Sequence, residues 1–159
     1  MNSTQRKGLG ALVGAVAAAA LLAFTPAWEG TELTTYRDLG GVLTYCTGAT
    51  ENAQWGKIYT PAQCRAQLDR DLERHAAGIA RCIPMDRLTD GQKVAFVDAA
   101  YNIGVSAFCG SSMARRANAG DMVGACDALL MWNKVGGKEV RGLTRRRQAE
   151  RELCLRGLS

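Results

Sequence analysis

The sequence predicts an α+β fold, with a small β-hairpin subdomain, a mainly helical lobe and a weakly hydrophobic N-terminal helix. Three observations predict it. A stretch rich in Thr, Tyr, Val and Leu surrounds a Gly40-Gly41 turn and favours a short hairpin. Two later stretches begin with helix-capping residues and continue with apolar residues at helical spacing. An uncharged run from Gly8 to Phe24 precedes both.

The uncharged run has three interpretations. As a helix it would be roughly 25 Å long, which is short of a hydrocarbon core of about 30 Å. The basic Arg6-Lys7 before it and the small residues at Thr25 and Ala27 after it are typical of a cleaved signal peptide. A permanent anchor is disfavoured, because Gly and Ala contribute little transfer free energy. The third interpretation is a segment that enters the bilayer and later leaves it.

The hairpin region carries two carboxylates and a hydroxyl, namely Glu29, Asp38 and Thr44. An acid at a helix end can face an acid on a hairpin across a cleft. Glycosidic bonds are hydrolysed by such a pair, in which one carboxylic acid protonates the leaving oxygen and the opposite carboxylate directs a water. The Thr44 hydroxyl can help to hold that water. Most acidic residues are solvated surface groups, so this spacing needs support from the rest of the chain.

A first helix of the main lobe is predicted after the hairpin. Thr60 is its N-cap and Pro61 its first residue. This helix carries the only histidine of the chain, His75. The sequence offers no second histidine and no evident partner for it, and we assign it no role. The predicted buried stripe consists of Cys64, Leu68, Leu72, Ala76 and Ile79.

A second helix begins at Thr89, because Thr89 and Gln92 have the spacing of a capping box. Gly104 is its predicted end. Its predicted inward-facing residues are Val94, Val97 and Tyr101. Three further helices are predicted at 111–118, 121–132 and 142–155, with Trp132 in the core rather than on a sugar-binding surface.

The cysteine count indicates an oxidising compartment. Six cysteines occur without a C-x-x-C pair, which favours disulfides over metal or thiol-redox chemistry. Sequence alone does not fix their pairing. Our hypothesis is pairing between neighbours along the chain, which gives Cys46–Cys64, Cys82–Cys109 and Cys126–Cys154.

The formal charge of +5 and the isoelectric point near 9.0 suit an anionic partner such as a cell wall, a membrane surface or nucleic acid. Nucleic acid is the weakest of these, because basic residues are scattered outside Arg145–Arg147 and no nucleic-acid module is recognisable. We predict no metal and no cofactor, and we expect a monomer.

The spacing E-x8-D-x5-T, formed by Glu29, Asp38 and Thr44, resembles the active-site signature of phage-type lysozymes, which are endolysin glycosidases. Later segments are similar to the middle and C-terminal parts of that family, in order and at compatible spacings. These segments include Tyr101–Gly104, Phe108, Ser111-Ser112, Arg115, Asn118–Asp121, Gly124–Asp127, Trp132, Gly136–Lys138, Gly142-Leu143, Arg146-Arg147, Glu150 and Cys154. The resemblance extends from about Trp28 to the end of the chain.

This resemblance implies a lysozyme-like fold and a muramidase that hydrolyses the β-1,4 bond between N-acetylmuramic acid and N-acetylglucosamine in peptidoglycan. It implies Glu29 as general acid and Asp38 with Thr44 as the pair that activates water, with inversion at the anomeric carbon. It also implies that Asn102 faces the saccharide cleft and that Arg146 lies near Glu29, and we treat both as candidate substrate-binding residues. Thr47 departs from the family, which often has an aromatic residue or histidine there, so the shape of this turn stays open.

Some phage endolysins also carry a signal-anchor-release segment of this composition. The resemblance implies export by the host machinery, tethering of an inactive form to the inner membrane through residues 8–24, and later release into the periplasm. Cleavage after Ala27 would leave Glu29 near a frayed terminus, whereas a general acid needs a fixed position. We therefore favour release, and predict a targeting segment at 1–27 and a catalytic domain at 28–159. Residues 1–45 contain no cysteine, which excludes control by a disulfide to the membrane segment.

Two other functions remain open. A lytic transglycosylase cleaves the same bond with one acid and makes an anhydro product, although Asp38 and Thr44 at family spacing argue against it. A cationic, disulfide-linked wall-binding module or single-pass membrane protein would have no activity at all. Clearing of a peptidoglycan suspension by purified protein distinguishes this last alternative from the enzymes.

Overall fold

The computed structural model describes residues 8–158, so the predicted role of the basic Arg6-Lys7 lies outside the described residues. Within that range the chain forms eight α-helices, four short strands and two 3₁₀ turns. The helices are α1 (Leu9–Val13), α2 (Ala15–Glu29), α3 (Pro61–Ile79), α4 (Asp90–Ile103), α5 (Val105–Cys109), α6 (Ser112–Asn118), α7 (Met122–Ala128) and α8 (Arg141–Arg156). The strands are β1 (Glu32–Arg37), β2 (Leu43–Cys46), β3 (Lys134–Val135) and β4 (Lys138–Glu139).

The N-terminal apolar run packs into the hydrophobic core of the helical lobe. Leu9, Val13, Ala17 and Leu21 recur every four residues and are at most 2% exposed. Residues four apart lie on one face of a helix, so this spacing gives α1 and α2 one buried side. Helix α2 continues without interruption past Ala27 to Glu29. The structure shows no break at the predicted boundary at residue 27, and the division into a targeting segment and a catalytic domain stays a prediction.

Gly14 separates α1 from α2. Its φ of +89° and ψ of +157° lie in a region that is essentially restricted to glycine. The Val13 carbonyl, which the break leaves without a helical partner, accepts a hydrogen bond from Lys93 Nζ at 3.1 Å. Across residues 8–158, no helix combines the length and the apolar character needed to cross a membrane.

The predicted hairpin is confirmed. Strands β1 and β2 pair antiparallel, with Tyr36 opposite Thr44. The other edge of β1 pairs with the segment before α3, where Thr34 lies opposite Ile58. Glu29 directly precedes this small sheet and Asp38 lies in its turn. The hairpin therefore places the two acids on consecutive structural elements.

The predicted starts of α3 and α4 are confirmed, since both Thr60 and Thr89 form complete capping boxes. All five residues of the predicted α3 stripe are buried, and Gly104 ends α4. The helices predicted at 111–118 and 142–155 are found within about one residue. The helix predicted at 121–132 was too long, because α7 ends at Ala128 and tightens into a 3₁₀ turn at Leu129–Met131. Trp132 packs against the core, as predicted.

Three disulfides connect elements that are distant in sequence. The pairs are Cys46–Cys64, Cys82–Cys109 and Cys126–Cys154, which are the pairs that pairing between neighbours predicts. The first joins the end of β2 to the first turn of α3. It therefore attaches the small sheet to the helical lobe beside the Glu29 region.

Candidate active site

Glu29 is the last residue of α2, and its position follows from the buried face of that helix. It lies four residues after the buried Thr25, so it extends the same face out of the core. Gly30, with φ of +74°, then turns the chain into β1. The Glu29 side chain is 23% exposed. It is thus held by packing at its base and open at its carboxylate.

The two carboxylate oxygens of Glu29 have different environments. Arg146 Nη1 donates to Oε1 at 2.5 Å. Oε2 lies 3.9 Å from the position that a Cβ on Gly48 would occupy. Gly48, with φ of +85°, therefore leaves open the space in front of this oxygen. One oxygen is fixed by a cation and the other is available to a ligand.

A cavity of about 360 Å³ opens beside Glu29. Its walls come from the end of α2, the loop after β2, one face of α3 and the end of α4. No group of three His, Cys, Asp or Glu side chains able to hold a metal occurs in residues 8–158. The lining residues are Glu29, Gly48, Ala49, Thr50, Glu51, Gln67, Asp71, Arg74, His75, Tyr101 and Asn102.

Asp38 lies in the turn between β1 and β2 and is exposed. Its Oδ1 accepts hydrogen bonds from the backbone N–H groups of Gly40 and Val42, both at 2.9 Å. These bonds fix the carboxylate through one oxygen, and no hydrogen bond to Oδ2 occurs within residues 8–158. Thr44 is buried, and its hydroxyl donates to the Val42 carbonyl at 3.0 Å. Neither Asp38 nor Thr44 is among the residues that line the cavity beside Glu29.

Tyr36 is a common neighbour of the two acids. Burial raises the pKa of its hydroxyl, and the charges of nearby carboxylates raise this pKa further. Those carboxylates are Glu32, Asp38 and Glu29. The charges of the helix-end acid and of the hairpin acid thus both act on Tyr36.

Asn102 lies at the edge of the cavity with a fixed amide orientation. Its Oδ1 accepts a hydrogen bond from Arg147 Nη2 at 2.9 Å, and Arg147 is fully buried. The amide nitrogen of Asn102 is then the group left to donate toward the cavity. This orientation suits a carbonyl oxygen on a bound ligand.

Arg146 lies beside Glu29, as the sequence resemblance implied, but it is only 5% exposed. Its Nε and Nη2 donate to the two oxygens of Asp98, both at 3.0 Å, and Nη1 donates to Glu29. All three contacts are thus to carboxylates of the protein. Arg146 supports Glu29 in this structure, and its predicted contact with substrate stays a prediction.

Sequence reasoning missed one wall of the cavity, which is formed by α3. His75, to which we assigned no role, lines the cavity beside Tyr101, with their ring centroids 5.2 Å apart. Its Nδ1 is 2.6 Å from the Asp71 carbonyl. The signal in the sequence was a polar stripe at Gln67, Asp71 and His75, running beside the apolar stripe at the same helical spacing.

The turn at Thr47 is bonded to α4, although Thr47 departs from the family pattern. Thr47 is 3% exposed, and its carbonyl accepts a hydrogen bond from the Tyr101 hydroxyl. Burial, followed by the charges of Glu29 and Asp71, raises the pKa of Tyr101, so this hydroxyl keeps its proton and remains a donor. The bond joins the hairpin loop to α4 at the edge of the cavity.

A helix-end acid facing a polar cleft between a small sheet and a helical lobe defines a glycosidase of the lysozyme type. The family model described as phage lysozyme matches residues 26–150, and the chain belongs to that family. The SAR-endolysin of Enterobacteria phage PA-2 is 40% identical over an alignment of 166 residues that covers 99% of each chain. The protein is thus an endolysin that lyses the cell wall.

Solved structures agree with this assignment. The active form of the P1 phage endolysin Lyz has a TM-score of 0.79 and 27% identity, with 88% of this chain and 85% of that chain covered. The secreted inactive form of the same endolysin has a TM-score of only 0.52 at 26% identity, covering 69% of this chain and 77% of that one. The muramidase domain of SpmX from Asticaccaulis excentricus has a TM-score of 0.78 and 27% identity, covering 86% and 95% of the two chains.

Proposed function

We propose that this endolysin is a muramidase, which hydrolyses the β-1,4 bond between N-acetylmuramic acid and N-acetylglucosamine in peptidoglycan. The observation that carries the proposal is the carboxylate of Glu29, with one oxygen bonded to Arg146 and the other open to a polar cavity of about 360 Å³. A general acid needs this combination of a fixed position and an open face. The similarity to a muramidase domain supports the same reaction.

In the proposed mechanism Glu29 donates a proton to the glycosidic oxygen as the bond to the anomeric carbon breaks. A water held by Asp38 and Thr44 attacks that carbon from the opposite side, and Asp38 takes up the proton of the water. This route inverts the anomeric carbon and requires roughly 6.5–9.5 Å between the two carboxyl groups. Asn102 donates a hydrogen bond to a carbonyl oxygen of the glycan, because Arg147 already occupies its own carbonyl.

The test is to digest purified peptidoglycan with the full-length protein and to measure the mass of the soluble muropeptides. Hydrolysis gives products with a reducing N-acetylmuramic acid end. Products lighter by one water, with an anhydro end, would replace the muramidase proposal by lytic transglycosylase activity. If no muropeptides are released, the muramidase proposal fails.

We further propose that the protein is first tethered to the host inner membrane by residues 8–24 and is later released intact into the periplasm. The packing of α2 supports release over cleavage. Cleavage after Ala27 would remove Ala17, Leu21 and Thr25, which are fully buried, together with nearly all of the helix that holds Glu29. The higher structural similarity to the active than to the inactive form of Lyz supports the assignment of this packed state to the active enzyme.

Gly14 is expected to control the balance between these two states. In a membrane the run from Gly8 to Phe24 must be one continuous helix, because unpaired backbone groups are costly in lipid. In the packed state Gly14 adopts φ of +89° instead. We predict that Gly14→Ala destabilises the packed state by about 1–3 kcal/mol. The ratio of released to membrane-bound protein in fractionated cells should then fall by roughly 5- to 150-fold.

The matched control for this prediction is Gly10→Ala. Both substitutions add one methyl group to the same segment, and a Cβ at either position would have no neighbour within 4 Å. Only Gly14 requires a positive φ. An equal retention of both variants in the membrane fraction would mean that added apolar surface, and not the break, controls release.

A further inference from the structure

Asp98 is a buried carboxylate in α4 that the proposed mechanism does not use. It is fully buried. Oδ1 accepts a hydrogen bond from Thr25 Oγ1 at 2.8 Å and a second from Arg146 Nη2 at 3.0 Å, and Oδ2 accepts one from Arg146 Nε at 3.0 Å. A carboxylate that forms a bidentate pair with arginine fixes the whole plane of the guanidinium group.

The contacts of Asp98 bring three helices together behind Glu29. Thr25 lies on α2, four residues before Glu29 and on the same face. Arg146 lies on α8 and uses its remaining nitrogen, Nη1, to bond Glu29 Oε1 at 2.5 Å. Asp98 therefore contacts the helix that carries Glu29 as well as the cation that contacts its carboxylate.

The buried pair of Asp98 and Arg146 is ionised on both sides. Burial alone would raise the pKa of Asp98, but hydrogen bonds with Glu150, Arg146 and Thr25 outweigh it and lower this pKa. Burial would lower the pKa of Arg146, but the hydrogen bonds and charge of Asp98, followed by those of Glu29, raise it. The negative charge of Asp98 thus offsets the positive charge of Arg146 independently of Glu29.

We propose that Asp98 is a positioning residue for the acid. It orients Arg146 toward Glu29 and offsets the charge of that arginine, so that the Glu29 carboxyl is held in place beside a cation whose charge is already balanced. Without Asp98, the charge of Arg146 would be offset less and would favour the ionised form of Glu29, since the other buried carboxyl beside it, Glu150 Oε1, lies at the longer distance of 3.7 Å from Nε. This inference rests on the proposed role of Glu29 as general acid.

Other charged and titratable groups surround this pair, and none of them is substituted in the experiment. Glu150 on α8 is buried, and burial together with its hydrogen bond to Asp98 raises its pKa well above the ordinary value. Burial lowers the pKa of Arg147, which is bonded to Glu150 at 2.7 Å. The remaining groups that interact with Glu29 or Asp98 are Tyr36 on β1 and Tyr101 on α4.

The test is Asp98→Asn, with the pH dependence of wall digestion as the readout. An enzyme with a general acid loses activity as rising pH removes the proton of that acid, which gives the alkaline limb of the profile. An uncompensated cation within a few ångströms favours the ionised acid by one pH unit or more. We expect the alkaline limb of Asp98→Asn to move to lower pH by about one unit.

The matched control is Asp127→Asn. Asp127 accepts a hydrogen bond from Arg151 of α8 at 2.7 Å, on the partly exposed surface away from the cavity. This substitution removes the same charge from another aspartate–arginine pair, which is partly exposed, and its alkaline limb should coincide with that of the wild type. An unmoved limb in folded Asp98→Asn, with cooperative thermal unfolding, would overturn the proposal.

A second comparison covers the case in which Asp98→Asn does not fold because the buried Arg146 loses its partner. Arg146→Gln leaves the Asp98 charge without its cation, and the alkaline limb should move to higher pH. The double variant Arg146→Gln with Asp98→Asn removes both charges, so its limb should return to lower pH. Identical limbs for these two proteins would show that the Asp98 charge does not act on the acid, and would overturn the proposal.

The failure of this inference is distinct from the failure of the proposed function. If Glu29→Gln still digests the wall, the proposed role of Glu29 falls and the inference falls with it. If Glu29→Gln is inactive and the limb of Asp98→Asn does not move, only the role of Asp98 is rejected.

Discussion

Replacement of Glu29 by glutamine is expected to abolish wall digestion, with a loss of at least about 10²–10⁴-fold in turnover. Glutamine has nearly the same shape and can still accept the hydrogen bond from Arg146, but it has no acidic proton to give to the leaving oxygen. The measurement is the initial rate of clearing of a peptidoglycan suspension. The far-UV circular dichroism of the variant should match the wild type, because Arg146 keeps both of its bonds to Asp98.

Glu32→Gln is the matched control for this substitution. Glu32 lies three residues after Glu29, is exposed at the start of β1, and also contributes to the raised pKa of Tyr36. It does not line the cavity. We expect the turnover of Glu32→Gln to stay within about threefold of that of the wild type. An active Glu29→Gln protein, or an equal loss in both variants, would remove Glu29 as the acid.

Removal of the Cys46–Cys64 disulfide is expected to reduce both stability and turnover. Its sequence separation of 18 residues corresponds to about 3 kcal/mol of lost stability in the chain-entropy description. Thr47 and Gly48 follow Cys46 directly and face Tyr101 and Glu29. A displacement of about 1 Å in this loop can cost roughly 10²-fold in turnover. The double variant Cys46→Ser with Cys64→Ser should therefore be slow even where it is fully folded.

The control is the pair Cys126→Ser with Cys154→Ser, which removes an equally buried disulfide that joins α7 to α8. Its separation of 28 residues predicts a slightly larger stability loss, of about 3–4 kcal/mol. Turnover should nevertheless stay near that of the wild type well below the melting temperature. Parallel losses of turnover in both double variants would mean that the first disulfide affects activity through stability alone.

The sequence predicted the helical lobe well because the signals for its helices are local. A capping box involves two residues three apart, and those at Thr60 and Thr89 are both formed. The buried stripe of α3 was predicted because a helix repeats its face every three to four residues. The end of α7 was missed, since tightening into a 3₁₀ turn depends on the packing of the last turn and not on a terminating residue such as glycine.

The N-terminal run illustrates the limit of composition. Its lack of charge predicted contact with an apolar medium, but a bilayer and a protein core are alike in this respect. The spacing of Leu9, Val13, Ala17 and Leu21 was present in the sequence. Only the folded structure provides the complementary surface of α3 and α4 on which that face is buried.

The sequence by itself determined the hairpin and the starts of the long helices α3 and α4, the order of the acids and the family to which they point, because these depend on neighbours along the chain. Only the tertiary structure decided how the site is held. Arg146 is separated from Glu29 by 117 residues and from Asp98 by 48 residues. No local spacing specifies such contacts. They form because burial of the apolar faces of α2, α4 and α8 brings the three helices together, and the charged groups on those faces can then lie within hydrogen-bonding distance.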